Sequence, residues 1–321
     1  MLVNDEAIIK IAQLAPTLDT SASSHWDGHE GEGCEYELAK DPFNFSNALT
    51  NTHVIGPVGA VSKKTALPYK IIHWILQIPF RFMGMGLKGF WRIDKLAAAI
   101  AKRQGRAYDG DLMRHTLTMA MINDRLDIER DARLVAVIGD GFANMSSLLL
   151  ASIPYSRVIL VNLTKTLLLD LVYLKKAFPD ENIALAQSAD EMKEALAFND
   201  ARIIAVRADD MQILAQAPVT LGINIKSMME MDPPITAAYF DVLRRGPADQ
   251  TAFYCCNVDN KYWADGTVIS FSEYPWHEED TVLLDEACPW DQYRYHKQLP
   301  LYSRYKGLNL HRLVYLNKQK S

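Results

Sequence analysis

The chain has 321 residues, of which 49% are hydrophobic and 23% charged, and its net charge is −5. The composition is typical of a globular protein of one large or two smaller domains. The acidic balance argues against a protein that binds nucleic acid through the phosphate backbone. Four cysteines without a CxxC pair, and an acidic N-terminus without a basic leader, favour a reduced, cytoplasmic protein.

Residues 1–130 read as an irregular and then helical region, which we expect to form a cap or lid. Apolar residues recur with helical spacing at 5–14 and 94–104. The segment 23–42 is rich in glycine, histidine and acids and predicts a loop. Its glycines argue against the helix that would turn its histidines into metal ligands, so no metal is predicted.

The most apolar stretch of the chain, residues 71–91, is interrupted by Pro79, by glycines and by charges. It is too irregular for a helix that spans a membrane, and we expect no stable membrane insertion. The favoured interpretation is a buried or lid-forming segment, and an interfacial membrane contact is the alternative.

Residues 131–321 alternate between predicted strands and helices. This order indicates a Rossmann-like α/β domain with a mostly parallel sheet and right-handed crossovers. Because the last two strands have no full helix between them, we expect an antiparallel C-terminal edge. The predicted strands are 134–138, 157–163, 182–186, 202–206, 219–225, 251–257, 267–272 and 311–316, with helices near 145–153, 166–177, 189–198 and 235–245.

A glycine turn follows the first of these strands. Gly139, Asp140, Gly141 and Phe142 lead from the apolar run 134–138 into a helix. Such a turn offers free backbone N–H groups to a ligand, and glycine lets the backbone approach it closely. The third glycine of a dinucleotide fingerprint is missing. The alternative is a tight turn that binds nothing.

The next strand ends at Asn162, 21 residues after Gly141. In nucleotide-binding α/β folds the residue here reaches the ribose hydroxyls. An amide can accept a hydrogen bond from one hydroxyl and donate to the other. The alternative is that Asn162 caps a turn before the following helix.

A third candidate segment, INIKSMMEMDPP (223–234), follows another strand and contains several polar residues. Asn224, Ser227 and Glu230 lie between apolar neighbours, at the sheet edge where open α/β folds bind ligands. The alternative is a turn that packs its methionines into the core. Further on, His277 lies in a predicted loop and is either a general base or a surface residue.

The chain resembles the sugar O-methyltransferase family in five segments, which occur in this order: IGDGFANMSSLLL, VNLTKTLLLDLVYL, NIKSMMEM, AYFDVLRR and FYCCN. The resemblance covers residues 130–260, and more loosely the YPW and HRL segments. It implies a class I methyltransferase fold that uses S-adenosyl-L-methionine, with a role in biosynthesis. Three positions depart from the family pattern, because Val137 replaces an acid, Ala143 a third glycine and Asn162 the usual ribose-binding acid. Asp140 or Asp209 could take over from the acid missing at Val137.

The resemblance also implies roles for particular residues. The glycine turn would hold the methionine part of the cofactor, and Asn162 with Leu163 the ribose. Ser188 and Asp190 would lie near the adenine. The residues expected at the reacting centre, with Glu230 or His277 as the base, are Asn224, Ser227, Glu230 and His277.

The leading interpretation is a transferase that O-methylates a sugar or another small polar metabolite. The same cofactor could instead react through its aminocarboxypropyl arm, which would cyclise and release methylthioadenosine. A degenerate methyltransferase fold that only binds is a third interpretation, and a nicotinamide oxidoreductase a fourth. The expected partner is a small-molecule substrate and not nucleic acid, and a homodimer is compatible with the sequence.

Overall fold

The computed structural model describes residues 5–15, 19–23, 25, 53–56, 59–62, 66–197 and 201–318. Most of the predicted loop 23–42 lies outside these residues. No helix in the described ranges is long and apolar enough to cross a membrane. The helices are α1 (Glu6–Leu14), α2 (Leu67–Leu76), α3 (Ile78–Gly84), α4 (Phe90–Arg103), α5 (Gly110–Arg125), α6 (Ile128–Asp131), α7 (Asn144–Ser152), α8 (Thr164–Ala177), α9 (Ala189–Ala197) and α10 (Pro233–Arg245).

An eight-stranded sheet runs through the molecule in the order β5-β6-β4-β3-β7-β8-β14-β11. The first six of these strands are mutually parallel, and β14 runs antiparallel to both of its neighbours, β8 and β11. The predicted α/β class with an antiparallel edge is confirmed. The strands are β1 (His53–Gly56), β2 (Gly59–Ser62), β3 (Leu134–Ile138), β4 (Arg157–Asn162), β5 (Asn182–Leu185), β6 (Ala201–Arg207), β7 (Leu221–Ile225), β8 (Thr251–Val258), β9 (Asn260–Tyr262), β10 (Val268–Ser270), β11 (Thr281–Ala287), β12 (Tyr293–Tyr295), β13 (Tyr302–Arg304) and β14 (Asn309–Leu316).

The antiparallel edge differs in one strand from the prediction. The segment predicted as a strand at 267–272 contributes β10, which pairs with β9 in a separate hairpin. The edge strand is β11, which the sequence did not indicate. Most of its side chains are exposed, because an edge strand needs less apolar sequence than one buried on both faces.

The alternating side chains of β3 divide the core into two layers. Val135 and Val137 point to one face, where they join residues of α1, α4, α5, α7 and α8. Leu134, Ala136 and Ile138 point to the other face, towards α9 and α10. Helices α4 and α5 contact α7, so this part of the N-terminal region packs into the sheet's own core.

Candidate functional site

A cleft of about 710 Å³ opens at the carboxyl end of β3. Strand β3 lies between β4, which follows it in the chain, and β7. The chain therefore reverses its direction of winding here, and ligands of open α/β sheets bind at such switch points. Six of the residues singled out in the sequence line this cleft: Gly139, Asp140, Gly141, Asn162, Ser227 and Glu230.

The glycine turn has the backbone conformation that its glycines permit. Gly139 and Gly141 have φ of 73° and 83°, values that favour glycine. A Cβ at Gly139 would lie 2.1 Å from Ser227 Oγ, so this position also requires the absence of a side chain. Ala143 has φ of 52°, so it holds a left-handed conformation that favours glycine although it carries a side chain.

The side chains of the turn point into the protein. The Asp140 carboxylate accepts hydrogen bonds from Met145 N at 2.9 Å, Ser146 N at 2.8 Å and Ser146 Oγ at 2.6 Å, and so caps α7. Phe142 is 2% exposed and packs edge-on against Tyr173. Phe142 was predicted to bind the cofactor, and with its ring buried it can do so only through its backbone.

Asp170 of α8 holds the turn in place and was missed from the sequence. It is fully buried and accepts hydrogen bonds from Ala143 N and from Asn162 Nδ2, both at 2.8 Å. Burial, reinforced by the charge of Asp140, raises the pKa of Asp170 well above its ordinary value. A single acid inside the apolar run TLLLDLVYL was the signal available.

Asn162 lies in the cleft wall, and its side chain has hydrogen-bonding positions that the protein does not use. Its Oδ1 accepts from Leu163 N at 3.0 Å, and its Nδ2 donates to Asp170. One amide hydrogen and one lone pair remain for a ligand. Leu163 precedes α8, and it does not line the cleft.

The residues assigned to the adenine are not among those that line the cleft. Ser188 Oγ accepts a hydrogen bond from Glu191 N at 3.2 Å, at the start of α9. The Asp190 side chain is 97% exposed and lies 3.7 Å from Lys193 Nζ. Asp209, proposed to replace the acid missing at Val137, accepts hydrogen bonds from Thr20 N and Ser21 N.

Asn224 lies behind the cleft wall instead of facing a reacting centre. It is fully buried. Its amide donates to Ile138 O at 3.0 Å and to Ser227 Oγ at 2.5 Å, and its Oδ1 accepts from Asn257 Nδ2 at 2.9 Å and Met228 N at 3.2 Å. Because all four hydrogen-bonding positions are used, Asn224 supports the loop after β7 and is not free to bind substrate.

Glu230 brings a proton acceptor into the cleft. Its side chain is 14% exposed. Burial raises the pKa of Glu230 to about 7, although Lys261 and Lys226 act in the opposite direction. Lys261 Nζ lies 4.0 Å and His25 Nε2 3.8 Å from Glu230 Oε1. A carboxylate with this pKa can accept a proton near neutral pH.

His277 is exposed, and its contacts place it at the opposite end of the sheet. Its backbone N–H donates to Asp280, which also accepts from Asn317 N at 2.8 Å. Asn317 follows β14, whose Leu316 pairs with Thr251 at the start of β8. This register places His277 at the amino edge, so the prediction that it is a base for this site is wrong.

A network of ion pairs forms another wall of the cleft, and the sequence did not reveal it. Arg114 Nη2 lies 2.6 Å from Asp111 Oδ1, and Arg114 Nε 3.3 Å from Asp291 Oδ1. Lys226 Nζ contacts the same Asp291 oxygen at 2.7 Å and lies 4.1 Å from the centre of the Tyr305 ring. Burial raises the pKa values of Asp111 and Asp291, but the neighbouring cations outweigh it and hold both below their usual range.

Lys226 combines charge with an uncommon backbone. Its φ is 59°, a left-handed conformation that costs a residue with a Cβ about 1 to 2 kcal/mol. Such strain concentrates at functional sites. The lysine lies between Asn224 and Ser227, inside the polar group that the sequence did indicate.

The donor set of the cleft fits the amino-acid part of S-adenosyl-L-methionine. That part carries both a carboxylate and an ammonium group. The cleft is lined by cations at Arg114 and Lys226 and by acids at Asp111 and Asp291, which pair with one another in this structure. The glycine turn adds backbone next to these charges. The volume is also within the range of small-molecule pockets, roughly 300 to 1,000 Å³.

One buried group has the composition of a metal site. The ligand atoms of Cys256, Cys288 and Asp291 lie within 4.8 Å of one another. Burial raises the pKa of the Cys288 thiol, which favours the thiol over the thiolate that binds metals. Asp291 is already paired with Lys226 and Arg114.

No protein-family model matches the chain, and no curated protein matches it. Among solved structures, it is similar to the pyocyanin biosynthetic protein PhzM (13% identity, TM-score 0.33), over 62% of this chain and 56% of that one. It is also similar to a protein from Nostoc punctiforme assigned as an O-methyltransferase (9%, 0.37) and to PigF with SAH (10%, 0.34), each over 96% of this chain and 94% of the other. The fold class rests on this chain's own strand order.

Proposed function

We propose that this protein is an S-adenosyl-L-methionine-dependent transferase that methylates a hydroxyl group of a sugar or another small polar metabolite. One observation carries the proposal. A single cleft at the switch point of the sheet is lined both by a glycine turn and by Glu230, whose pKa is raised to about 7. A nucleotide-type binding turn and a proton acceptor are the two parts that methyl transfer to an alcohol requires.

The cofactor would lie along the glycine turn. Gly139 and Gly141 let its amino-acid part approach the backbone, and the amide of Asn162 meets the ribose hydroxyls. Arg114 and Lys226 would be the cations for its carboxylate, and Asp111 the acid for its ammonium group. When bound, S-adenosyl-L-methionine supplies an electrophilic methyl group on a sulfonium.

Glu230 would accept the proton that the acceptor hydroxyl loses. The transfer is an in-line displacement, so the alignment of the groups contributes much of the rate. Asn224 and Ser227 are positioning residues, because their hydrogen bonds to each other and to Ile138 O fix the loop that carries Glu230. The carboxylates and amides of the cleft suit an acceptor with several hydroxyl groups.

The test is incubation of the purified protein with S-adenosyl-L-methionine, with and without sugar nucleotides, followed by mass spectrometry. S-adenosylhomocysteine formed only with an acceptor is the expected result. Methylthioadenosine formed without an acceptor would contradict methyl transfer and would indicate cyclisation through the aminocarboxypropyl arm. Binding without either product would leave a binding protein, and no binding would contradict any role for this cofactor.

Two variants make the test specific to the cleft. Glu230→Gln should greatly slow formation of the acceptor-dependent product while the cofactor still binds. Glu279→Gln changes an exposed acid near His277, at the amino edge of the sheet, and should leave product formation unchanged. Equal activity of the two variants would remove Glu230 from the reaction.

A further inference from the structure

Helix α2 turns its apolar side chains outwards. Leu67, Ile71, Trp74 and Ile75 are 69%, 48%, 57% and 51% exposed. Their spacing of four, seven and eight residues places them on one face of the helix. The opposite face buries His73, whose Nδ1 lies 2.7 Å from Tyr295 Oη. The apolar face of the helix, which a helix normally buries, is therefore exposed to solvent.

Exposed apolar side chains also occur in α3, directly after it and at the start of α4. Phe82 is 66% exposed, Met85 55% and Trp91 51%. Arg81 connects α3 to α2, because its Nη1 donates to Trp74 O at 3.4 Å. We call this surface the apolar face; it consists of Leu67, Ile71, Trp74, Ile75, Phe82, Met83, Met85 and Trp91.

The segment that carries the apolar face has a charge opposite to that of the whole chain. Residues 66–104 contain seven lysines and arginines and a single acid, Asp94, although the chain carries a net charge of −5. Arg81 Nε pairs with Asp94 at 3.2 Å. Among the other cations, Arg92 and Arg103 donate to the carbonyl oxygens of Ser152 and Ala177. All of these other cations are exposed: Lys70, Lys88, Arg92, Lys95, Lys102 and Arg103.

We propose that the apolar face and its cations bind an anionic lipid surface. Tryptophan and large aliphatic side chains enter the boundary between headgroups and acyl chains, while lysine and arginine reach the headgroups. Helices α2 and α3 have only ten and seven residues, so the contact lies in the interface and does not span the bilayer. A second copy of the chain fits less well, because its own exposed cations would face these.

This proposal is independent of the proposed function, and co-sedimentation of the full chain with vesicles tests it. We expect binding to vesicles of equal parts phosphatidylcholine and phosphatidylserine, and little binding to phosphatidylcholine alone. Salt should weaken the binding, because exposed charges are screened within about 10 Å at 0.1 M ionic strength.

Two pairs of variants separate the two contributions. Ile71→Ser/Trp74→Ser removes apolar contacts, and its matched control Val282→Ser changes a side chain on β11 that is 54% exposed. Lys70→Glu/Lys95→Glu reverses charge, and Lys193→Glu is its control on α9. We expect each double variant to bind vesicles at least about tenfold more weakly. The first loses apolar contacts with the acyl boundary, and the second loses attraction to the anionic headgroups. Each control should bind as the wild type does.

Three results would overturn the proposal. The first is no binding to the anionic vesicles. The second is equal binding by the double variants and their controls, when circular dichroism shows that all are folded. The third is a dimer that forms without vesicles and is lost in Ile71→Ser/Trp74→Ser, which would assign the apolar face to a second copy of the chain.

Discussion

The two walls of the cleft differ in how they use their polar groups. On the glycine-turn wall, Asp140 and Asp170 both point inwards and hold backbone N–H groups. On the β7 wall, Lys226 and Glu230 send charged groups into the cleft. The first wall therefore fixes a shape, and the second supplies the chemistry. A change of Asp170 should accordingly affect stability, and a change of Glu230 turnover.

The largest expected effect is on the β7 wall. Glu230→Gln removes the proton acceptor but keeps the shape of the side chain, so we expect turnover to fall by about 10² to 10⁴. Thermal unfolding should show that the variant is folded, and calorimetry that it still binds the cofactor. A variant that loses cofactor binding and turnover together would make Glu230 a binding residue.

Asp170→Leu tests the opposite wall. It leaves Ala143 N and Asn162 Nδ2 buried without an acceptor, and each such group costs about 1 to 3 kcal/mol. The free energy of unfolding in denaturant should fall accordingly. Asp170→Asn is the control, since its carbonyl oxygen can still accept from Ala143 N, and it should lose less. If the leucine variant is as stable as the wild type, Asp170 does not hold the turn.

The pH dependence of turnover sharpens the role of Glu230. The proton acceptor is active when ionised, and the raised pKa means that it ionises only near pH 7. We therefore expect kcat/KM to rise about tenfold per pH unit below 7 and to level off above it. The residual activity of Glu230→Gln should lack this rise. A limb that persists in the variant would belong to another group.

Ala143→Gly is expected to have the smallest effect. Its φ of 52° disfavours a residue with a Cβ, so glycine should raise the free energy of unfolding by up to about 1 kcal/mol. Ala151→Gly, within α7, is the control and should lower it by about 0.5 to 1 kcal/mol. Equal losses in the two variants would show that the turn is not strained at Ala143.

The sequence revealed what depends on local pattern. Strands β3 and β4 are continuous apolar runs because both of their faces are buried, and the glycines mark the turn after β3. Glu230 could be placed near that turn because parallel strands end at one edge of the sheet. His277 was misplaced because its position depends on the register of β14 against β8. The pairing of Lys226 with Asp291 joins residues 65 positions apart, and no local pattern indicates such a contact.

Calorimetric titration with S-adenosyl-L-methionine tests most directly whether the cleft at the carboxyl edge is the cofactor site. Three proteins are compared: the wild type, Asn162→Ala in the cleft and His277→Ala at the amino edge. The wild type and His277→Ala should bind equally, and Asn162→Ala at least about tenfold more weakly, since it loses hydrogen bonds of about 1 kcal/mol each. A wild type that does not bind, or an Asn162→Ala variant that binds as the wild type does, would contradict the account.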